Sequence, residues 1–109
     1  MEIKNRNDKV ANYLKELSAE FLARENNNTS LITVTGADCS SDLKRATIFI
    51  TVLPTEKEEE ALAFTKRKRT ELREYLKKTM KTKITPFIDF AIDLGEKNRQ
   101  KIDELLREK

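Results

Sequence analysis

The sequence predicts an α+β domain in the order helix, strand, strand, helix, helix, strand, followed by a short C-terminal helix. Three observations carry this reading. Apolar residues recur at three- and four-residue spacings near the start and in the second half of the chain, as on helices, whereas three other stretches alternate with period two, as on half-buried strands. Each strand pattern has one apolar face and one face of Thr, Asp, Ala or Arg, so helices are expected on one side of a three-stranded sheet. A short turn between the first two strands suits antiparallel pairing, and a helical crossover before the third allows parallel pairing, which makes the expected sheet mixed.

The first helix is expected from about Lys4 to Glu25, where Ile3, Val10, Leu14, Leu17 and Phe21 form one apolar stripe. Asn5 or Asn7 can cap its start, and Asn26, Asn27 and Asn28 tolerate the left-handed conformation that ends helices. In Leu31 to Gly36, Ile32 and Val34 face one way and Thr33 and Thr35 the other. Cys39-Ser40-Ser41-Asp42 reads as a turn, because Ser and Asp side chains bond nearby backbone amides. The second strand runs from Lys44 to Leu53, with Ala46, Ile48, Ile50 and Val52 opposite Arg45, Thr47, Phe49 and Thr51.

Pro54 ends that strand, and Thr55-Glu56-Lys57-Glu58 has the form of a capping box at a helix start. The acidic turn through Glu60 suits the positive end of a helix dipole and needs no catalytic explanation. From Glu56 towards Met80, Ala61, Phe64, Leu72, Tyr75, Leu76 and Thr79 share a broad face at about 100° per residue. Lys68 falls in the middle of that face, and a buried unpaired lysine is costly. A bend near Lys66 to Thr70 resolves the conflict better than a straight helix with a snorkelling Lys68, and it leaves a basic corner between two helices. Thr85-Pro86 marks the next boundary, since the residue before proline avoids helical torsions. The third strand is expected over Phe87 to Leu94, with Ile88, Phe90, Ile92 and Leu94 inward and Phe87, Asp89, Ala91 and Asp93 outward, ended by Gly95. Residues 1–95 then form one domain. Residues 96–109 form a helical tail whose Ile102, Leu105 and Leu106 pack on the domain or extend from it.

At 109 residues the chain suits a single core that buries roughly 60–70% of the unfolded surface. No apolar run approaches the ~18 residues of a membrane helix, and Met1-Glu2-Ile3-Lys4 lacks a signal-peptide core, so a cytoplasmic protein is expected. Cys39 stands alone, which excludes an internal disulfide, and with no His to activate it a packing role fits better than a reactive thiol. The N-x-Ser/Thr matches at Asn27 and Asn28 read as chance. Without His, a Gly-rich phosphate loop or a Cys/His metal set, the expectation is no enzyme, no metal, no cofactor and no small-molecule substrate.

Charge is concentrated in one place. Lys66 to Lys83 holds nine Lys or Arg against two Glu, a net of +7, while the other residues hold thirteen Lys or Arg against seventeen Asp or Glu, a net of −4. Such a segment is suited to phosphate or another polyanion. The candidate RNA-binding residues are Lys66, Arg67, Lys68 and Arg69 at the corner and Arg73, Lys77, Lys78, Lys81 and Lys83 beyond it, with Lys44 and Arg45 extending the footprint. Arginine suits forked phosphate contacts and lysine supplies point charge. Phe49 and Tyr75 could stack bases, although packing explains both. The alternative reading is a protein-interaction module whose basic helix docks on an acidic partner.

The stretch Cys39-Ser40-Ser41-Asp42-Leu43-Lys44-Arg45-Ala46-Thr47-Ile48-Phe49-Ile50-Thr51-Val52-Leu53 resembles the Ser-Pro-Asp-Leu block and following strand of ribosome-binding factor A, with Ser41 where that family commonly has Pro. The resemblance continues in Asn5-Arg6 with Lys9-Val10, in Thr85-Pro86 followed by Phe90 and Asp93, and in Ile102-Asp103-Glu104-Leu105-Leu106. It implies a type II KH-like fold and a factor that binds the immature small ribosomal subunit and its ribosomal RNA; a monomer is expected. It also implies a part in late rRNA processing and in growth in the cold. Family members commonly carry an Ala-x-Gly kink between the two central helices. Here the kink falls near Lys68-Arg69-Thr70, without the Ala or the Gly, and no Gly-x-x-Gly loop occurs elsewhere.

Overall fold

The computed structural model describes residues 6–25, 30–80, 84–96 and 98, without the side chains of residues 6 and 7. The elements are α1 (Arg6–Arg24), β1 (Leu31–Cys39), β2 (Arg45–Leu53), α2 (Glu58–Arg67), α3 (Arg69–Met80) and β3 (Phe87–Ile92), with a 3-10 turn at Thr55–Lys57 before α2. The three strands lie in the order β1-β2-β3. β1 and β2 pair antiparallel, and β2 and β3 pair parallel. This is the mixed three-stranded sheet that the periodicities predict, and it agrees with the type II KH-like α+β fold that the resemblance implies.

The core lies between the sheet and the helices. Leu14, Leu17, Phe21 and Leu22 of α1 meet Ala46, Ile48, Ile50 and Val52 of β2, Ala61 of α2, Leu72, Leu76 and Met80 of α3, and Ile88 and Phe90 of β3. Burying a side chain such as Leu72 or Ile48 contributes about 1.5–3 kcal/mol, so the expected inward faces of α1, β2 and β3 supply most of the apolar drive. Phe21 also packs on Tyr75 with ring centroids 5.8 Å apart. The Tyr75 hydroxyl donates to Glu20 at 3.2 Å, which joins α1 to α3 and makes Tyr75 a packing residue.

Four local expectations are corrected. β1 extends three residues past Gly36, because the register slips between Val34 and Gly36 and leaves Thr35 unpaired. That bulge carries the inward face from Ile32 and Val34 to Ala37 and Cys39, which simple alternation from Leu31 cannot follow. The turn shifts accordingly, and Cys39 belongs to the strand. The capping box does not form: neither Pro54 before the 3-10 turn nor Lys57 before α2 makes a side-chain cap bond. A 3-10 turn satisfies these first amides instead, with Lys57 N donating to Pro54 O at 3.0 Å. β3 stops at Ile92, and Leu94 lies outside it at 66% exposure. Asp93 ends the strand by accepting bonds at both carboxylate oxygens, from Thr35 Oγ1 at 2.5 Å and from Glu96 N at 3.0 Å, and the chain turns helical from Leu94. Asn5, the Asn26–Asn28 stop signal and the Ile102, Leu105 and Leu106 stripe lie outside the described residues.

The Thr35 hydroxyl holds the Asp93 carboxyl below its ordinary value of 3.8, and the Glu96 amide adds to this. A lowered pKa means stability that is fully present above about pH 3.8 and is lost as pH falls through the lower folded value. Replacing Thr35 by Val is therefore expected to cost about 1–2 kcal/mol at pH 7. Urea unfolding should show the gap between variant and parent narrowing once the pH drops below that of a free carboxylate.

Candidate nucleic-acid interface

The break between α2 and α3 falls at Lys68, which has φ −91° and ψ 2°. Its amide donates to Thr65 O at 3.0 Å, and its carbonyl accepts from Leu72 N at 2.9 Å. One helix thus closes and the next opens on the same residue. No glycine is needed, because these torsions lie in a region open to any side chain. The break turns Lys68 out of the apolar face. Its ammonium pairs with Glu25 at 3.2 Å and Glu71 at 3.5 Å and lies 5.8 Å from the Phe64 ring centroid. The hydrogen bond to Glu25 is the main cause that raises its pKa above 10.5, against some desolvation. Lys68 remains charged at physiological pH and ties the end of α1 to the corner.

The other candidate residues divide by what they already touch. Lys66 and Arg69 converge on Asp89 Oδ1 of β3, at 3.8 and 3.2 Å, and Arg69 Nε also donates to Lys66 O at 3.0 Å. Arg73 donates to Thr85 O at 3.1 Å and lies over the Phe87 ring at 4.2 Å. Its Nε is buried without a hydrogen-bond partner among the described residues. Arg67, Lys77 and Lys78 are exposed and make no ion pair among the described residues. Lys77 and Lys78 stand in the last turn of α3, where they also suit the negative end of its dipole. Lys81 and Lys83 lie outside the described residues.

Lys44 and Arg45 join this surface through the sheet. Their turn is held by Asp42 Oδ1, which accepts from Ser40 Oγ at 2.6 Å and from Lys44 N at 3.0 Å. These bonds, led by the one from Ser40, lower the Asp42 pKa. They also stabilise a turn in which Leu43 takes a left-handed φ of 62°. Lys44 O then accepts from Phe87 N at 2.8 Å, and Arg45 stands beside Phe87 in the parallel register. The start of β2, the start of β3 and the first turns of α3 therefore form one end of the molecule. Two residues there escaped the sequence reading as site residues. Asp89 gathers two of the cations, and Phe87 is 65% exposed; the outward alternation of β3 marked both positions without showing their neighbours.

A mixed sheet with helices on one face and cations gathered at one end defines a small KH-like α+β domain without the glycine loop. The family model for Ribosome-binding factor A matches residues 6–106, and the chain belongs to that family. It is 35% identical over 107 residues to Ribosome-binding factor A of Trichlorobacter lovleyi, covering 94% of this chain and 86% of the relative. With the protein of that name from Thermodesulfovibrio yellowstonii it shares 34% identity over 97 residues, covering 87% and 82%. The fold is similar to the crystal structure of ribosome-binding factor A from Thermus thermophilus, with TM-score 0.71 and 22% identity over 81% of this chain and 97% of that one. It is also similar, with TM-score 0.66 and 22% identity over 74% and 88% of the chains, to a Thermus thermophilus ribosome binding factor A model fitted into a cryo-electron microscopy map of a 30S complex.

Asp89 is more than half exposed in both of its pairs, so its contacts position the corner more than they stabilise the fold. Replacement by Ala is expected to change stability by no more than about 1 kcal/mol. Hydrogen exchange should nonetheless quicken at the amides near Lys68, where Lys66 and Arg69 lose their shared anchor.

Proposed function

We propose that this chain is a non-catalytic assembly factor that binds the immature small ribosomal subunit, with a basic helix-kink-helix surface contacting phosphates of its ribosomal RNA. The observation that carries the reading is the exposure of Arg67, Lys77 and Lys78 without a carboxylate partner among the described residues, on the segment that holds the chain's excess positive charge. An exposed lysine or arginine with no ion pair can displace counterions from RNA without first giving up a protein partner. Family membership and the 30S complex of a structural relative support the same direction.

In this reading Lys44, Arg45, Lys66, Lys68, Arg69, Arg73, Lys81 and Lys83 complete the footprint, and affinity follows RNA shape and backbone more than base sequence. The protein acts as a cytoplasmic monomer during late rRNA processing, with its demand greatest in the cold, where misfolded RNA helices rearrange slowly. Residues 1–95 are the binding domain, and residues 96–109 serve as its tail.

The test is co-sedimentation of the intact chain with immature small subunits, together with a salt titration on purified ribosomal RNA. Engaging ~4–6 phosphates gives a log-log slope near −3 to −5. Exchanging Lys77 and Lys78 for Glu together is expected to lower subunit binding at least tenfold and make the slope shallower by about two, with the fold retained by circular dichroism despite a lower melting temperature from two carboxylates at the negative end of the α3 dipole. Undiminished binding by that variant removes α3 from the interface, and binding to an acidic ribosomal protein in place of RNA replaces the RNA reading.

A further inference from the structure

Phe87 is a largely exposed aromatic residue at the basic end of the molecule. It opens β3, and its backbone is fixed by the bond from its amide to Lys44 O at 2.8 Å. Its ring is steadied by Arg73, whose guanidinium lies 4.2 Å from the centroid and is itself held by Thr85 O at 3.1 Å. Even so, the residue is 65% exposed. Phe87 and Arg69 line two neighbouring hollows. One, of about 340 Å³, includes Arg73 and Glu74; the other, of about 430 Å³, includes Arg45, Thr47 and Asp89.

We propose that Phe87 is a stacking platform for one unpaired RNA base, with the phosphates on either side held by Arg45 and Arg69. The proposal rests on the RNA reading above and adds a ligand chemistry to it. An aromatic ring surrounded by arginines suits a nucleobase joined to phosphates, because the base covers the ring while the guanidiniums meet the backbone. An apolar protein segment does not suit these hollows, since covering Phe87 would also bury Arg45, Arg69 and Asp89 away from water. A base within a duplex has both faces occupied by its neighbours, so the platform selects an unpaired nucleotide. Because Arg73 already restrains the ring and the Lys44 carbonyl the backbone, less freedom is left to lose on binding. Recognition of this kind does not depend on the Gly-x-x-Gly turn, which the sequence lacks.

The experiment uses the intact chain and two probes: a short single-stranded RNA carrying one 2-aminopurine, and a blunt RNA duplex of equal length. The parent protein is expected to quench the 2-aminopurine on binding. Phe87→Ala should abolish the quenching and weaken single-strand binding about 5- to 100-fold while leaving duplex binding unchanged, and Phe87→Tyr should restore both. The exposure of Phe87 predicts that these variants melt with the parent, which circular dichroism verifies. Equal quenching and affinity in parent and Phe87→Ala would overturn the proposal. If exchange of Lys77 and Lys78 for Glu lowers affinity for both probes while Phe87→Ala does not, stacking fails and the RNA reading stands. If the parent binds neither probe, both fall together.

Discussion

The basic corner depends on one constraint: Lys68 cannot stay inside the apolar face shared by α2 and α3. Ala61, Leu72 and Leu76 are fully buried, and continuing one straight helix would put an ammonium among them. Interrupting the helix for one residue costs little, because Thr65 and Leu72 still bond to Lys68 across the break. The lysine then acts as a strut. Its bond to Glu25 fixes the end of α1 against the corner, and its bond to Glu71 fixes the first turn of α3. With α3 starting there, Arg69 comes within 3.2 Å of Asp89 and Arg73 within 4.2 Å of the Phe87 ring. A sequence conflict inside the core thus sets the geometry of the outer surface.

The sheet supplies the other half of that surface. Parallel pairing sets the start of β3 beside the start of β2, so the turn ordered by Ser40 and Asp42 lies next to the chain entering from Thr85-Pro86. An antiparallel third strand would put Phe87 and Arg45 at opposite ends. At the far end, Asp93 accepts from Thr35 at the β1 bulge. Its bond spans the sheet from β1 to the residue after β3 and fixes where the chain leaves it. The bulge that interrupts the alternation of β1 is therefore used as an attachment point.

Much of the fold was legible because the core residues obey one period over several turns or strands. Leu14, Leu17 and Phe21 define α1, and Ala46, Ile48, Ile50 and Val52 define β2. The break at Lys68 was legible for the opposite reason, since a charge in an apolar face contradicts the period. What escaped depends on contacts between distant residues. The added length of β1 comes from its register with β2, and the early end of β3 comes from Asp93 meeting Thr35, 58 positions away. The capping box at Thr55 failed because a local pattern specifies possible bonds, and the turn after Pro54 used a 3-10 bond in their place. For the proposed interface, the basic segment pointed to a region but gave no information on which cations carboxylates already hold.

That distinction bears on how a polyanion engages the surface. A phosphate approaching Lys66 or Arg69 competes with Asp89, so part of the attraction replaces an existing pair and the net gain is smaller than the charge count suggests. Both pairs are exposed and screened by salt, so the replacement remains open to a ligand that brings several phosphates at once. Arg67, Lys77 and Lys78 face no such competition among the described residues. Under the proposed RNA reading, long-range attraction and the first contacts would therefore fall to the outer face of α3 and the tip of α2. Arg69 would contribute only after the ligand is oriented, when its exchange of Asp89 for phosphate is assisted by neighbouring contacts. The Lys68 pairs with Glu25 and Glu71 involve neither Arg69 nor Asp89, so they need not open for Arg69 to turn outward, and the corner keeps that anchor when it gives up Asp89. Under the proposed RNA reading, such a surface would separate capture from fitting: the lysines and arginine without an ion pair among the described residues would respond to charge alone, and the paired cations to a ligand whose phosphates match their spacing.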